Sequence, residues 1–581
     1  MNDLEITMER ISVFIVKKMF IGLLLGLLSI LSLPVQAFPE GDAEKGKRLY
    51  EQGVSHNGQP VKALAQDGII FQGEDASCLR CHRRSGFGGS EGGFYVPPVS
   101  ANFVYEPSRK DRNDRFRAAF LEAQNIQHWV RVRMPRMRPA YTPSTLAVAL
   151  REGHNPSGTE FDQLMPRYQL DDQDAANLSA YLAILSKTIS PGVDDHYLHV
   201  ATVVGPNVNP VERDAMLETM QAYARWYNER LYSDIAHESS ARAYGMDVRN
   251  STRLWKLHIW ELVGPPETWR AQLEHFQHQQ PVFAMVNGLV NNAWSPIATF
   301  CDDMRMPCLL PLTELPPDRR EDQGGYSFYY TRGLQLEADI LSIYLENMPD
   351  RLENLVQLHD ASRFGAEPAL RLAGQLSARL PDLAIQTIPY ENPRALEAIL
   401  KNLRGKVGKD QGIVVWSHPD DDSILEILQR SGVQEQPVFI PAHMLRKQMA
   451  HGRSEFSSPL PDNLYITWPF SLPQTYQADA FRVRGWMRSR GLPVKDERIQ
   501  MLSYYGMNIL RDSTRHLFEH FYRDYLVERI EHEVEGSPHP GIYPAFSLGP
   551  EQRVMSKGGY ILKPDEARKS TLSVVADWIV P

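Results

Sequence analysis

From His199 to the end of the chain, short apolar runs alternate with longer stretches in which apolar residues recur every three to four positions. The runs are HVATVVG (199–205), PVFAMVNG (281–288), CLLPLT (308–313), ENLVQLHD (353–360), QGIVVWSH (411–418), QPVFIPAH (436–443) and NLYITWPF (463–470). Each is short, apolar and bounded by turn residues, which predicts a buried strand. Between them, AMLETMQAYARWYNERL and EPALRLAGQLSARL carry helical periodicity. Strands alternating with helices predict βαβ units on parallel sheets. Roughly 390 residues are too many for one such sheet, so two lobes are expected.

The text before His199 is different. MFIGLLLGLLSILSLPVQA (Met19–Ala37) follows Lys17 and Lys18 and ends in small residues at Val35 and Ala37. Basic, then apolar, then small is the order of a secretory signal. The alternative is an uncleaved membrane anchor. The leading basic region is long, and Met8 is a second candidate start. Cleavage after Ala37 predicts an exported chain with no remaining membrane span. In a bacterium it lies in the periplasm, where disulfides form.

Phe38 to Ser190 is rich in Gly and Arg. In GDAEKGKRLYEQG, Asp42 caps a helix on which Ala43, Gly46 and Tyr50 share a face. A mid-helix glycine costs about 1 kcal/mol against alanine, so Gly46 predicts a close crossing with another helix. YTPSTLAVALREG predicts a second helix. Near the end of the zone, Asp171 or Asp172 caps a third, with Leu178, Tyr181, Leu182 and Leu185 on one face. The hinge SPGVDDHY (Ser190–Tyr197) closes the zone. No short internal repeat is visible.

Composition adds bounds. A formal net charge of −9 over 581 residues is mild, with no long run of one sign, and excludes a general nucleic-acid binder. Hydrophobic residues at 43% suffice for packed cores. The chemistry concentrates in SCLRCH (Ser77–His82), which holds two of the four cysteines. A structural zinc site needs a second ligand pair at matching spacing, and Cys301 and Cys308 lie in another zone. A thioredoxin-like dithiol follows a strand in a βαβ context, and no strand pattern precedes Ser77. Haem attachment accounts for every position. Cys78 and Cys81, one helical turn apart, each reach a haem vinyl group, and His82 reaches the iron. One covalent haem c is therefore expected. A second axial ligand is usually a Met sulfur, and Met134, Met137 and Met165 are candidates.

These residues carry a resemblance. The helix with Gly46 and Tyr50, Cys78-Leu79-Arg80-Cys81-His82, Met165-Pro166 and the helix ending LSAYLAIL are together similar to a class I cytochrome c. The resemblance implies a small all-α domain with His82 and Met165 as axial ligands. It also implies electron transfer with a periplasmic partner, a dehydrogenase or another cytochrome. The departure is an insertion from Arg83 to Arg138. Its aromatics Phe87, Phe94, Tyr95 and Phe103 are candidates to cover a haem edge. Its basic run, Arg131–Arg138, is a candidate to pair with propionates or an acidic partner.

From His199 onward, the element order resembles the type I periplasmic binding proteins of the leucine/branched-chain amino-acid class. The carriers are HVATVVGPNVNPVERDAMLETMQAYARWYNE, PVFAMVNGLVNNAWSPIATFCDDMRMPCLLPLTELP, LVQLHDASRFGAEPALRLAGQL with Phe364 before Gly365 at an expected turn, YYGMNILRDSTRHL, and FSLGPEQRVMSKGGYIL as a closing hairpin. The resemblance implies a two-lobed α/β fold with a small organic ligand between the lobes, a substrate-binding protein of the transporter kind. Candidate contacts at the strand ends are Asn207, Asn291, Thr313, Phe364, Ser417 and His443. The first loop lacks the family's Gly/Thr-rich character, and Phe364 replaces an aromatic hydroxyl. The expected domains are a signal peptide over 1–37, a cytochrome c domain with its insertion over 38–190, and the two-lobed domain over 198–581. Cys301 and Cys308 either bridge or remain buried thiols.

No nucleophile elbow, P-loop, HExxH or dinucleotide fingerprint stands out. GFGGSEGG (86–93) follows no strand, and HPDDD (418–422) reads as an acidic helix start. The chain is therefore expected to be an electron carrier and binding protein rather than an enzyme. Its second part binds a small ligand or docks a dehydrogenase. The alternatives are a ligand-binding receptor or transport component with haem as redox sensor, and a haem peroxidase.

Overall fold

The computed structural model describes residues 38–91, 94–107, 138–236, 253–292, 294–317, 325–403, 410–418, 423–433, 435–445, 456, 459–537, 541–568 and 570–581. The signal sequence, Met134, Met137 and most of the basic run lie outside them, as do Pro419–Asp422. The chain divides into two compact units, Met1–Lys187 and Thr188–Pro581.

Unit 1 runs α1 (Ala43–Gln52), β1 (Lys62–Leu64), β2 (Ile70–Gln72), α2 (Leu79–His82), β3 (Gly89–Glu91), β4 (Phe94–Val96), α3 (Ala101–Tyr105), α4 (Pro143–Glu152), β5 (Arg167–Tyr168) and α5 (Asp172–Leu182). Asp42 caps α1 through the N–H groups of Glu44 and Lys45, and Asp171 caps α5 through that of Asp174. Gly46 sits where α1 crosses α5: a Cβ there would lie 2.0 Å from the Asn177 carbonyl oxygen. Leu49, Tyr50, Leu178, Tyr181 and Leu182 fill the core around this crossing.

Unit 1 is not purely helical, which corrects the all-α expectation. A small antiparallel sheet has the order β2-β1-β5, and β3 pairs with β4. The cause is a turn at Gln66–Gly68 that folds Ile70–Gln72 back on Lys62–Leu64. A repeat is also present in the backbone. After α1, Ser55 N bonds Gln59 O, Gly58 N bonds Ser55 O and Val61 N bonds Gly53 O. After α4, Asn155 N bonds Thr159 O, Gly158 N bonds Asn155 O and Phe161 N bonds Gly153 O. Both loops start from a left-handed glycine, Gly53 or Gly153. The repetition lies in backbone bonds and two glycines, so the side-chain text hides it.

Unit 2 holds two α/β lobes. In lobe 1, β6 (Tyr197–Val204), α6 (Pro210–Ala236), β7 (Leu254–Glu261), α7 (Trp269–Gln279), β8 (Ala284–Val286), α8 (Ser295–Asp303), β9 (Cys308–Leu309) and β10 (Ser327–Phe328) build an all-parallel sheet, order β10-β9-β8-β6-β7. The chain crosses into lobe 2 through α9 (Leu334–Glu346), β11 (Asn354–Asp360), α10 (Arg363–Arg379), β12 (Ala384–Tyr390), α11 (Pro393–Leu403), β13 (Gln411–Trp416), α12 (Ile424–Ser431), β14 (Val438–Pro441) and β15 (Leu464–Trp468). It returns with α13 (Pro473–Ser489), α14 (Glu497–Arg515) and α15 (Arg523–Gly536), of which α14 packs on α6. It ends with β16 (Gly559–Pro564) and β17 (Leu572–Ile579), which complete the sheet β12-β11-β13-β14-β15-β16-β17. The first five strands of that sheet are parallel and the last two antiparallel. No helix of the described residues is long and apolar enough to cross a membrane.

The closing hairpin is β16–β17, further along than FSLGPEQRVMSKGGYIL suggests. Phe546 to Gly558 forms no strand; Ser547 N instead bonds Met555 O at 3.1 Å. Phe364-Gly365 is likewise no turn but the first turn of α10. A Cβ on Gly365 would lie 2.5 Å from Asp360 Oδ1, so glycine lets the helix approach the end of β11. Cys301 and Cys308 are joined in a disulfide between α8 and β9, with Cα atoms 6.2 Å apart.

Arg523 anchors α15 to lobe 1. It is 7% exposed, and its guanidinium donates to the carbonyls of Phe283 (3.0 Å), Met304 (2.9 Å) and Val282. Burial lowers its pKa to about 10, which leaves it charged at pH 7. Arg523→Met strands these carbonyls away from water. Urea unfolding is expected to show a loss of about 3 kcal/mol or more. A loss under about 1 kcal/mol would contradict this anchoring.

Candidate functional site

Ser77 to His82 forms a single tight turn. Cys78 precedes α2, and His82 N bonds Cys78 O at 2.9 Å. Cys78 is buried, Cys81 is exposed, and neither forms a disulfide. The His82 ring is buried, and Nδ1 lies 2.9 Å from the Pro97 carbonyl oxygen. A carbonyl only accepts, so Nδ1 carries the proton and the Nε2 lone pair is left for another partner. Desolvation lowers the ring's pKa to about 4, against a smaller opposing effect of the Pro97 bond.

Three contacts hold this geometry. Arg83 turns the chain at φ 64°, and its carbonyl accepts from the Tyr50 hydroxyl at 2.7 Å. The Tyr50 ring packs on Tyr181, centroids 5.4 Å apart, so α1 and α5 both brace the turn. Gly88 N bonds His82 O at 3.0 Å, which brings the chain round to β4 and Pro97. Burial raises the Cys78 thiol to about 12, with the Tyr168 hydroxyl bonded to it opposing the shift. The Cys301–Cys308 bridge removes the other two cysteines from any tetrathiolate. Ser77 Oγ is buried with no hydrogen-bond partner.

Met165 is half-buried and, like Leu79, packs on the cluster that contains Cys78 and Tyr168. Of the aromatics in the insertion, Phe87 and Phe103 meet edge-on at 5.6 Å, and Tyr95 is 50% exposed. Arg138 is used locally. It stacks on Tyr141 at 4.5 Å and donates to the carbonyls of Pro139 and Phe103. Sequence reasoning missed the role of Asp174 in α5. Its buried carboxylate accepts from Ser55 Oγ at 2.5 Å and from His56 N at 2.7 Å, which ties the 53–61 loop to the helix.

In unit 2, the strand ends bring the candidate residues to different depths. Asn291, after β8, is exposed, and its Oδ1 lies 3.2 Å from Nε2 of His418, after β13. This contact joins the two lobes. The Phe364 ring stands edge-on to His418 at 4.8 Å and packs with Leu315 and Leu334. Thr313 Oγ accepts from Leu315 N at 3.1 Å. Asn207 is an exposed turn residue at φ 56°. Ser417 and His443 are both buried: Ser417 Oγ is 3.4 Å from Asp360 Oδ2, and His443 Nε2 is 3.1 Å from the Ser417 carbonyl oxygen.

Two carboxylates that the sequence did not single out organise this end of lobe 2. Asp360 accepts from His418 N at 2.6 Å and Ser362 N at 3.0 Å. Glu337, 2% exposed, accepts from Ala442 N at 2.5 Å and Thr467 Oγ1 at 2.7 Å, and lies 3.7 Å from His443 Nδ1. Asp360 stands at the end of an apolar run, where an acid is a signal of this kind. Glu337 lies inside an amphipathic helix and gives none. The structure therefore brings Asn291, Phe364 and His418 into contact between the lobes, with Phe364 buried, and keeps Ser417 and His443 buried.

No protein-family model and no curated protein matches the chain. Among solved structures, it is similar to a fatty acid ABC transporter substrate-binding protein from Thermomonospora curvata. The identity is 14%, with 68% of this chain and 95% of that chain covered, at a TM-score of 0.46. A branched-chain amino acid ABC transporter structure from Thermus thermophilus with bound valine is 12% identical, covers 67% of this chain and 98% of that one, and has a TM-score of 0.47. A leucine-binding protein from Thermotoga maritima is 10% identical over 66% of this chain and 99% of that one, at 0.43.

The cross-lobe bond gives a direct prediction. A double-mutant cycle of Asn291→Ala and His418→Ala, read by urea unfolding, is expected to show a coupling of about 0.5–1.5 kcal/mol. Strict additivity would mean that the pair does not join the lobes.

Proposed function

We propose that the chain is an exported ligand-binding protein that carries one covalently attached haem in unit 1. The observation that carries this reading is the His82 Nδ1–Pro97 bond, which leaves Nε2 uncommitted on the same turn that holds Cys78 and Cys81. The residues present fit such a group. Cys78 and Cys81 would hold it through thioethers, and His82 would offer Nε2. Met165, packed on the same core cluster as Cys78, would be a further ligand through its sulfur. A bound haem of this kind supplies one-electron Fe(III)/Fe(II) exchange. The role of the chain is to fix the imidazole tautomer through Pro97 and to keep both ligand positions filled. Filled positions favour electron exchange with a periplasmic dehydrogenase or another cytochrome over peroxidase chemistry.

For unit 2, the proposed role is to bind a small organic ligand between the lobes. Parallel α/β sheets present ligand-facing loops at the carboxyl ends of their strands. Here the strand-end loops carry Asn291 and His418, an amide and an imidazole, and the first turn of α10 adds the Phe364 ring. A receptor or transport component with haem as redox sensor is the second reading. The cross-lobe bond between Asn291 and His418 favours it, because a ligand entering there would compete for that bond.

Two measurements test these roles. The oxidised protein is expected to show the near-infrared Met–Fe(III) band, lost in Met165→Ala; a band unchanged in that variant contradicts the ligand assignment. Thermal-shift screening with amino acids, amides, alcohols and aromatic acids is expected to raise the unfolding midpoint for at least one class, and less so in His418→Ala. No stabilisation by any of them would favour docking of a dehydrogenase on unit 2.

A further inference from the structure

Away from the turn that carries the two thiols, unit 1 brings a second set of ligand atoms together. Among the described residues, His56 Nδ1, one oxygen of Asp171 and one of Asp174 all lie within 4.8 Å of one another. His56 Nδ1 is 3.1 Å from Asp174 Oδ1 and 3.7 Å from Asp171 Oδ2. The histidine comes from the loop after α1 and the aspartates from the start of α5, so two separate elements converge.

The spacing suits an ion. Two donors each about 2.1 Å from one divalent ion lie roughly 3.0–3.4 Å apart, from octahedral to tetrahedral angles. His56 and Asp174 already stand so. Asp171 has to close by only a few tenths of an ångström, and its side chain is 57% exposed. Its Oδ1 accepts from Asp174 N at 2.8 Å, which leaves Oδ2 for the ion. Asp174 is the fixed member. It is 4% exposed, with Oδ2 accepting from Ser55 Oγ at 2.5 Å and Oδ1 from His56 N at 2.7 Å. Such bonds orient a ligating carboxylate. A cavity of about 240 Å³ opens beside the two carboxylates, walled also by the amides of Asn57, Gln59 and Gln169. At about 30 Å³ per water it has room for several waters, enough to fill the coordination positions that the protein leaves open. Lys62 on the same wall is exposed, so its ammonium stays in water.

The loop does not need this histidine in order to close. The loop after α4 makes the same backbone bonds with Pro156 at the position of His56. It is closed by its own Asn155, whose Oδ1 accepts from Ser157 N and Thr159 N. We propose that His56, Asp171 and Asp174 form a binding site for one divalent transition-metal ion of the zinc kind. One imidazole with two carboxylates is a ligand set for Zn²⁺, whereas Ca²⁺ and Mg²⁺ take oxygen ligands. The ion takes the place of the proton between His56 Nδ1 and Asp174, and the neutral ring then carries its proton at Nε2. It relieves the repulsion between the two carboxylates and ties the 53–61 loop to α5. The proposal is independent of what Cys78 and Cys81 carry.

The test is calorimetric titration of Zn²⁺ into the full chain at pH 7.5, with Ca²⁺ as the comparison. His56→Ala is expected to bind one Zn²⁺ fewer per chain than the wild type, a difference that counts this site apart from any ion taken by Cys78, Cys81 or His82. Asp171→Asn keeps a good N-cap for α5 and is expected to hold the same ion more weakly. Zn²⁺ binding left unchanged in either variant, no Zn²⁺ bound by the wild type, or a site that Ca²⁺ fills in preference to Zn²⁺ would overturn the proposal.

Discussion

The buried hydrogen bond from His82 Nδ1 to the Pro97 carbonyl decides what unit 1 offers. Without it, the ring could present either nitrogen and turn about its bonds. With it, one nitrogen is committed to the protein and the other keeps its lone pair, on the turn that carries both thiols. The bond rests in turn on the crossing of α1 and α5. Gly46 lets the helices approach until the Asn177 carbonyl occupies the space of a side chain. That approach sets Tyr50 against Tyr181, and the Tyr50 hydroxyl then holds the Arg83 carbonyl. A glycine in the first helix is thus linked, through a ring and a hydroxyl, to the orientation of an imidazole more than thirty residues later.

In unit 2 the governing constraint is burial of polar groups at strand ends. Parallel sheets place their carboxyl ends in a common region, and every polar atom there must find a partner or face water. Asp360 and Glu337 answer this by gathering backbone N–H groups and a threonine hydroxyl from β13, β14 and β15. Ser417 and His443 are enclosed by the same arrangement. Asn291 of lobe 1, which is exposed, meets His418 of lobe 2 beside the buried ring of Phe364.

Much of this architecture is legible in the sequence, for a physical reason. Strands buried on both faces, such as Gln411–Trp416, read as continuous apolar runs. Edge strands do not: β7 and β12 are half-exposed, so Leu254–Glu261 and Ala384–Tyr390 read as mixed text and went unrecognised. The segment Ser77–His82 is readable because its chemistry is local, with thiols and imidazole on one turn. The cleft is not, because its rim is assembled from loops far apart in the chain. Ser417 and His443, polar residues at the ends of apolar runs, resemble ligand contacts in one dimension and are internal partners in three. The identity of a ligand depends on that assembly and has no linear signature.

The most direct measurement is the intact mass and thiol count of the full chain matured in a bacterial periplasm that has a haem-attachment system. The protein is purified, denatured and treated with an alkylating agent. The account predicts a mass increase of one haem that survives denaturation, with Cys78 and Cys81 both closed to alkylation. Folded protein recovered without that mass, and with both thiols alkylated, would contradict it.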